Sequence, residues 1–202
     1  MEQSTSANLK SQRSIQDYLS LGYLYLLLLG ITTDSIYFGY MGINILEYST
    51  IIDVLLSPVI YLTKSFTFPF VIFITPILGL IIIRLQQKQI RKKETTQLIS
   101  KEEKEKQQPK PNSRKALLVF VAVSIFSAYF GYGLGRGQKM KDKLQSGTFE
   151  LNHELTFNDG EVLKVYLVDH NNQYVFYVVE NGKTVTVSPV EGNIKKIKKL
   201  EK

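Results

Sequence analysis

The chain of 202 residues contains no cysteine, no tryptophan and only two histidines. Without cysteine there can be no disulfide, thiolate nucleophile or Cys-ligated metal within the chain. His153 and His170 lie on separate predicted elements with no evident third ligand, so we expect no metal and no cofactor. A phosphate-binding G-x-x-x-x-G-K-[ST] loop, a G-x-S-x-G elbow and an H-E-x-x-H motif are also absent. The sequence therefore predicts a protein that is not an enzyme.

The mean hydropathy is close to zero, at −0.04, because apolar and charged residues occupy different parts of the chain. A membrane-spanning helix needs about 20 mostly apolar residues. The runs at 18–33, 66–83 and 116–134 predict three spans. No small-x-small cleavage site and soluble domain follow the first run, so we expect an uncleaved helix rather than a signal peptide. The composition thus indicates an integral, multi-pass membrane protein.

The segment 42–62 is amphipathic rather than uniformly apolar. On a helical wheel its aliphatic residues fall on one side, whereas Ser49, Asp53 and Ser57 recur every four residues on the other. An unpaired carboxylate at the centre of a bilayer costs several kcal/mol. We therefore favour an interfacial or re-entrant helix, with a polar-faced fourth span as the alternative.

Polar side chains are crowded in and just before this segment. They form a candidate polar membrane cluster of Asp34, Asn44, Glu47, Ser49, Asp53 and Ser57. Polar groups at membrane depth are costly, which makes them candidate functional positions. One hypothesis is a small oligomeric channel or transporter whose polar path is lined by Glu47, Asp53, Ser49 and Ser57.

The distribution of basic residues predicts the orientation. Eleven of the 25 lysines and arginines lie in 84–115, against one, Lys64, between the first two spans. The positive-inside rule places 84–115, a charged linker, and the N-terminal tail 1–17 in the cytoplasm. Four basic residues after the third span weigh against this orientation without reversing it. No aromatic residue is interleaved in the linker to stack a base, so we expect no nucleic-acid binding.

Small residues recur along the predicted third membrane helix, 116–135. Ser127, Gly131 and Gly135 are spaced by four, and Gly133 and Gly137 repeat that spacing one face away. Such a small-xxx-small pattern lets two helices approach closely. It predicts helix packing through Ser127, Gly131 and Gly135, either within the chain or with a second copy.

The pattern changes from helical to alternating after a predicted stalk at 136–147. Alternation predicts five strands in a β module, 148–202, near 149–157, 161–168, 173–180, 183–188 and 194–198. Asn181-Gly182 predicts a two-residue type I′ hairpin turn. The expected fold class is a membrane α-helical protein with three spans. The first two spans and the amphipathic segment 42–62 lie within 18–83, and the third span is 116–135. The C-terminal part of the protein is a small antiparallel β module, a meander or an SH3-like barrel.

The segment from Gly30 to Pro58 contains the stretches GITTDSIYFG at 30–39, GINIL at 42–46, YS at 48–49 and DVLLSP at 53–58. This segment resembles one in small bacterial multi-pass inner-membrane proteins that have no assigned activity. The resemblance implies a bacterial inner membrane and nothing about mechanism.

These patterns together favour a non-enzymatic inner-membrane protein that anchors a small β module. Its expected role is that of an accessory or sensing subunit. The expected partners are the lipid bilayer and either another membrane protein or a second copy. The β module is expected on the periplasmic side.

Overall fold

The computed structural model describes residues 2–64, 67–94 and 113–201. This part of the chain is helical as far as Ser146 and forms strands after it. The helical elements are α1 at Glu2–Gly39, a 3-10 turn at Ile45–Glu47, α2 at Ile51–Lys64, α3 at Thr67–Glu94 and α4 at Ser113–Ser146. The strands are β1 at His153–Phe157, β2 at Val162–His170, β3 at Tyr174–Val179, β4 at Thr186–Pro189 and β5 at Ile194–Lys199.

Two stretches of helix are long and apolar enough to cross a membrane, Ile15–Gly39 of α1 and Ala116–Ser146 of α4. Among the described residues, a third crossing is reached only if α2 and Phe68–Ile81 of α3 count together as one broken span. The prediction of three separate spans is not confirmed.

The two long helices extend past the runs that predicted them. The first run stops at Thr33, whereas α1 continues through Asp34 to Gly39. Similarly, α4 continues without a break through the stretch expected to be a stalk. Most of the predicted linker, 95–112, lies outside the described residues.

The described residues between Tyr61 and Tyr129 form one compact unit. Within it, the ring of Phe68 on α3 packs edge-to-face on Tyr129 of α4, with centroids 4.9 Å apart. Further along α3, Gly79 lies against the ring of Phe120. Because the later residue of α3 contacts the earlier residue of α4, the two helices pack antiparallel in this unit.

The other compact unit contains residues 1–60 and 130–202. Its helices approach closely at glycines. Gly30 of α1 lies directly against the backbone carbonyl of Val54 on α2, where a Cβ would overlap it. The second half of α1 therefore packs against the start of α2.

The five strands form one antiparallel sheet in the order β4-β3-β2-β1-β5. The first four strands form a meander, and β5 returns to pair with β1, which leaves β4 and β5 at the edges. The predicted small antiparallel β module is confirmed at this level. Alternation along each strand places residues of opposite parity on opposite faces.

Both faces of the sheet are buried, but against different elements. One face forms a core of its own from Leu155, Val165, Val175 and Tyr177. The opposite, helix-facing side packs on residues of α1 and α4 through Phe176 and Val178. The sheet is therefore held against the helices by the apolar side chains of one of its faces.

Two details of the strand prediction are wrong. The first strand begins at His153, and Phe149 instead packs with Tyr166 on the helix side of the sheet, with ring centroids 4.9 Å apart. The Asn181-Gly182 turn is not type I′, because Asn181 has a positive φ of 58° and Gly182 does not. The first ladder pair beside it joins Tyr177 to Thr186, which leaves a loop too long for a two-residue hairpin.

Candidate functional site

One buried region, here termed the helix–sheet junction, lies where three elements meet. They are the C-terminal end of α1, the last third of α4 and the helix-facing side of the sheet. Phe38 of α1 and Phe176 of β3 contact each other with ring centroids 4.9 Å apart. The buried members of the cluster are Tyr37, Phe38, Ile45, Met140, Leu144, Phe176 and Val178. Burial of apolar surface at about 25 cal/mol per Å² is the main force that holds the sheet in place.

Arg136 of α4 is the central charged group of the helix–sheet junction. Its guanidinium carbon lies 4.1 Å from the centroid of the Tyr37 ring and 5.4 Å from that of Tyr132. Its side chain also hydrogen bonds to Tyr37. A guanidinium over an aromatic face contributes about 0.5–1 kcal/mol when exposed and about 2 kcal/mol when desolvated. Arg136 thus links α4 to the end of α1.

A β-bulge brings an acid to the same junction. The β2–β3 register pairs Leu167 with Tyr177 and then Asp169 with Phe176, so Val168 is the extra residue. A bulge redirects the side chains that follow it. Asp169 consequently shares the helix-facing side of the sheet with Phe176.

A second contact closes the junction from the loop between α1 and α2. The Asn171 side-chain amide donates a hydrogen bond of 2.7 Å to the Tyr48 carbonyl oxygen. The Tyr48 ring packs edge-to-face on Tyr174, with centroids 5.2 Å apart. The turn between β2 and β3 is therefore fixed to the loop by both a polar and an aromatic contact.

Two acids of the candidate polar membrane cluster make local contacts. The Asn44 amide donates to Glu47 Oε1 at 2.7 Å. At the start of α2, the Thr50 N–H and hydroxyl donate to Asp53 Oδ2, and the Asp53 N–H donates back to Thr50 Oγ1. This reciprocal pattern is a capping box, which stabilises a helix N-terminus. Glu47 and Asp53 thus each take part in a local hydrogen bond next to the start of α2.

Other members of that cluster are on inward-facing helix surfaces. Asp34 is 6% exposed on α1, and Ser57 is 8% exposed on α2. The outward face of α2 carries the exposed aliphatic residues Ile51, Ile52, Leu56, Val59 and Ile60. The helix therefore turns apolar side chains outward and Ser57 inward, the arrangement that lipid favours. Ser49, in the loop before α2, is half-buried.

Within the chain, α4 packs on α1 through a face that lies next to the predicted one. A Cβ at Gly133 would lie 3.0 Å from the Thr33 carbonyl oxygen, and Gly137 lies against the Tyr40 ring. By contrast, Gly131 and Gly135 have nothing within 4 Å, and Ser127 is exposed. Within the chain, the Ser127, Gly131 and Gly135 face is therefore not the contact with α1, because α1 lies on the face of Gly133 and Gly137.

The two histidines lie on the sheet. Burial, Lys199 and His170 together lower the pKa of His153 below its ordinary value of 6.5. His153 Nδ1 lies 2.8 Å from Asn152 Oδ1, which also accepts a bond from the Leu167 N–H. Among residues 2–64, 67–94 and 113–201, no group of three or more His, Cys, Asp or Glu side chains is placed to hold a metal.

The sequence reasoning missed the central residues of the junction. Arg136 is one of the four basic residues after the predicted third span, which served only to predict the orientation. Its spacing of four from Tyr132 on a helix is a signal that the two side chains are neighbours. Asp169 gave no such signal, because the bulge that redirects it depends on pairing with another strand. No family model, curated protein or solved structure matches this chain.

Proposed function

We propose that this chain is a non-enzymatic inner-membrane protein, an accessory or sensing subunit whose helices hold a small sheet at the membrane surface. The observation that carries the proposal is the helix–sheet junction. The sheet packs through Phe176 and Val178 onto Tyr37, Phe38, Met140 and Leu144 of the two candidate spans. A module held in this way is presented in a fixed position on its anchor.

The junction also supplies a physical route for sensing. The α4 helix carries Arg136 and continues from a membrane-type segment to the residues that pack on the sheet. A partner that shifts the sheet would alter the surroundings of Asp169 and of the Arg136–Tyr37 pair. Coupling of this kind needs packed elements that both sites can bias.

The proposed orientation places 84–115 in the cytoplasm and the sheet in the periplasm of a bacterium. It rests on the excess of lysine and arginine in 84–115. The resemblance of 30–58 to segments of bacterial inner-membrane proteins supports the choice of membrane.

Native mass analysis of the full chain, extracted from its own membranes in mild detergent, tests the proposal. We expect a complex with another membrane protein or a second copy. Val165→Asp, which charges a fully buried position of β2, should release that partner while the chain stays in the membrane. Val162→Asp, on the same strand at a position that is 55% exposed, is the matched control and should keep it. A strictly monomeric wild-type chain would contradict the proposal.

A further inference from the structure

We propose that the open edge of β5 binds an extended acidic segment of a partner protein, which adds to the sheet as a sixth strand. The inference rests on the proposed function, because it identifies the surface through which the subunit meets its partner. It depends on the position of β5, on the direction of its backbone groups and on its charge.

The strand β5 is available for pairing on one side. It is at the end of the sheet order, with β1 as its neighbour. From Lys195 to Lys199 every residue is exposed. An edge strand presents unpaired N–H and C=O groups, which another extended chain can pair with.

The register shows which backbone groups face outward. The Leu200 N–H donates to the Asn152 carbonyl oxygen at 2.9 Å, so this pair is hydrogen-bonded across β5 and β1. Opposed residues in an antiparallel ladder alternate between hydrogen-bonded and non-hydrogen-bonded pairs. Lys199, opposite His153, and Ile197, opposite Leu155, therefore direct their N–H and C=O groups to the open edge.

The charge of the strand selects the partner. Within Ile194–Lys199, four of the six residues are lysines. Glu154 of β1 lies opposite Lys198 of β5. Lys196 of β5 lies opposite Thr156 of β1 and has no acid across from it. Lysines on an edge disfavour pairing with a second copy of the same strand. A strand rich in glutamate or aspartate would be attracted by the same charges, because like charges opposite each other destabilise pairing and opposite charges stabilise it.

The edge continues into an open cleft at the end of the β1–β5 pair. It has a volume of about 760 Å³ and is lined by Glu150, Leu151, Asn152, Lys199, Leu200 and Glu201. A segment paired along β5 would have room there for side chains beyond the last ladder bond.

The test measures binding of a fluorescent peptide to the full chain in uncharged detergent. The probe alternates glutamate with valine, and its control has the same sequence with alternate amides N-methylated to block ladder bonds. We expect the probe to bind and the control not to bind.

Lys199→Pro removes an outward N–H that the β1 ladder does not use, and Lys199→Gln removes the same charge without removing that group. We expect the proline variant to bind about tenfold more weakly than the glutamine variant.

The charge dependence has its own matched pair. Lys195→Glu with Lys196→Glu should weaken binding at least about tenfold. Lys139→Glu with Lys141→Glu makes the same charge change on exposed positions of α4 and should leave binding unchanged.

Three outcomes would overturn the inference. The first is no binding to the wild-type chain, and the second is equal binding by Lys199→Pro and Lys199→Gln, which would show contact without strand addition. The third is a Lys199→Pro-sensitive dimer in sedimentation, which would make a second copy the occupant. A strictly monomeric wild-type chain in the native-mass experiment would instead contradict the proposed function, so the two failures are distinguishable.

Discussion

The Arg136 guanidinium lies over the Tyr37 ring, 4.1 Å from its centroid, and joins α4 to the end of α1 beneath the sheet. We expect Arg136→Gln to lower the free energy of unfolding by about 1–2 kcal/mol, because a partly desolvated cation–π contact and a hydrogen bond are lost together. Arg136→Lys should lose less, since it keeps the charge without the planar stacking group. Thermal melts by circular dichroism in detergent measure both.

Lys139→Gln is the matched control for that series. Lys139 is exposed on the same helix, so the same change of charge should leave the melting temperature nearly unchanged. Equal losses from Arg136→Gln and Lys139→Gln would show that the Tyr37 contact contributes nothing.

The glycines of α4 should differ in their tolerance of a methyl group. Gly133→Ala places a Cβ 3.0 Å from the Thr33 carbonyl oxygen and should cost about 1–3 kcal/mol through overpacking. Gly131→Ala and Gly135→Ala meet nothing within 4 Å and should cost nothing within the chain. Melting temperatures in monodisperse detergent samples separate these cases. If Gly131→Ala or Gly135→Ala lowered the melting temperature as much as Gly133→Ala, the assignment of the α1 contact to the Gly133 face would be wrong.

The capping box predicts a structural role for Asp53. Thr50→Ala should destabilise the chain by about 1 kcal/mol, because α2 loses its N-terminal cap. Asp53→Asn removes the charge that a conducting path would need and keeps a side-chain oxygen for the cap. We expect ion flux into liposomes to be near zero for the wild-type chain and for Asp53→Asn. Substantial wild-type flux that Asp53→Asn abolishes would favour the channel hypothesis instead.

The pKa of His153 is lowered in the folded chain, which predicts a pH dependence of stability. The unfolded chain then binds the proton more readily than the folded chain, so the stabilisation is present above the ordinary pKa of about 6.5 and is lost as the pH falls toward the lowered value. Melting temperatures between pH 8 and pH 5, compared with those of His153→Gln, measure this contribution. Identical pH profiles for the two proteins would refute it.

Sequence patterns predicted those parts of the fold that depend on local periodicity. Alternation identified the strands, and apolar runs identified the long helices. The first run ended before Asp34, however, so the end of α1 at Gly39 was missed. The docking of the sheet on Phe38 and Met140 depends on contacts between distant elements, which no local pattern encodes. The same reason explains why Gly133, rather than Gly131, meets α1.

The candidate site was predicted less well than the fold. Asp53 and Glu47 were predicted as candidate functional residues because charge is costly near lipid. In the structure each forms a hydrogen bond with a residue three positions away, which stabilises the local fold. Arg136 contacts Tyr37 only because α4 packs on the end of α1, and Asp169 lies on the helix-facing side of the sheet only because of the bulge in β2. Their importance is a property of the tertiary structure.

The central proposal is that membrane helices hold the sheet on the side of the membrane opposite the basic linker. The chain has no cysteine, so single cysteines report on location without background. Glu191→Cys marks an exposed position on the sheet, and Ser100→Cys marks the linker. We predict that a membrane-impermeant maleimide labels Glu191→Cys in intact spheroplasts and labels Ser100→Cys only after permeabilisation. Labelling of both cysteines, or of Ser100→Cys alone, before permeabilisation would contradict the account.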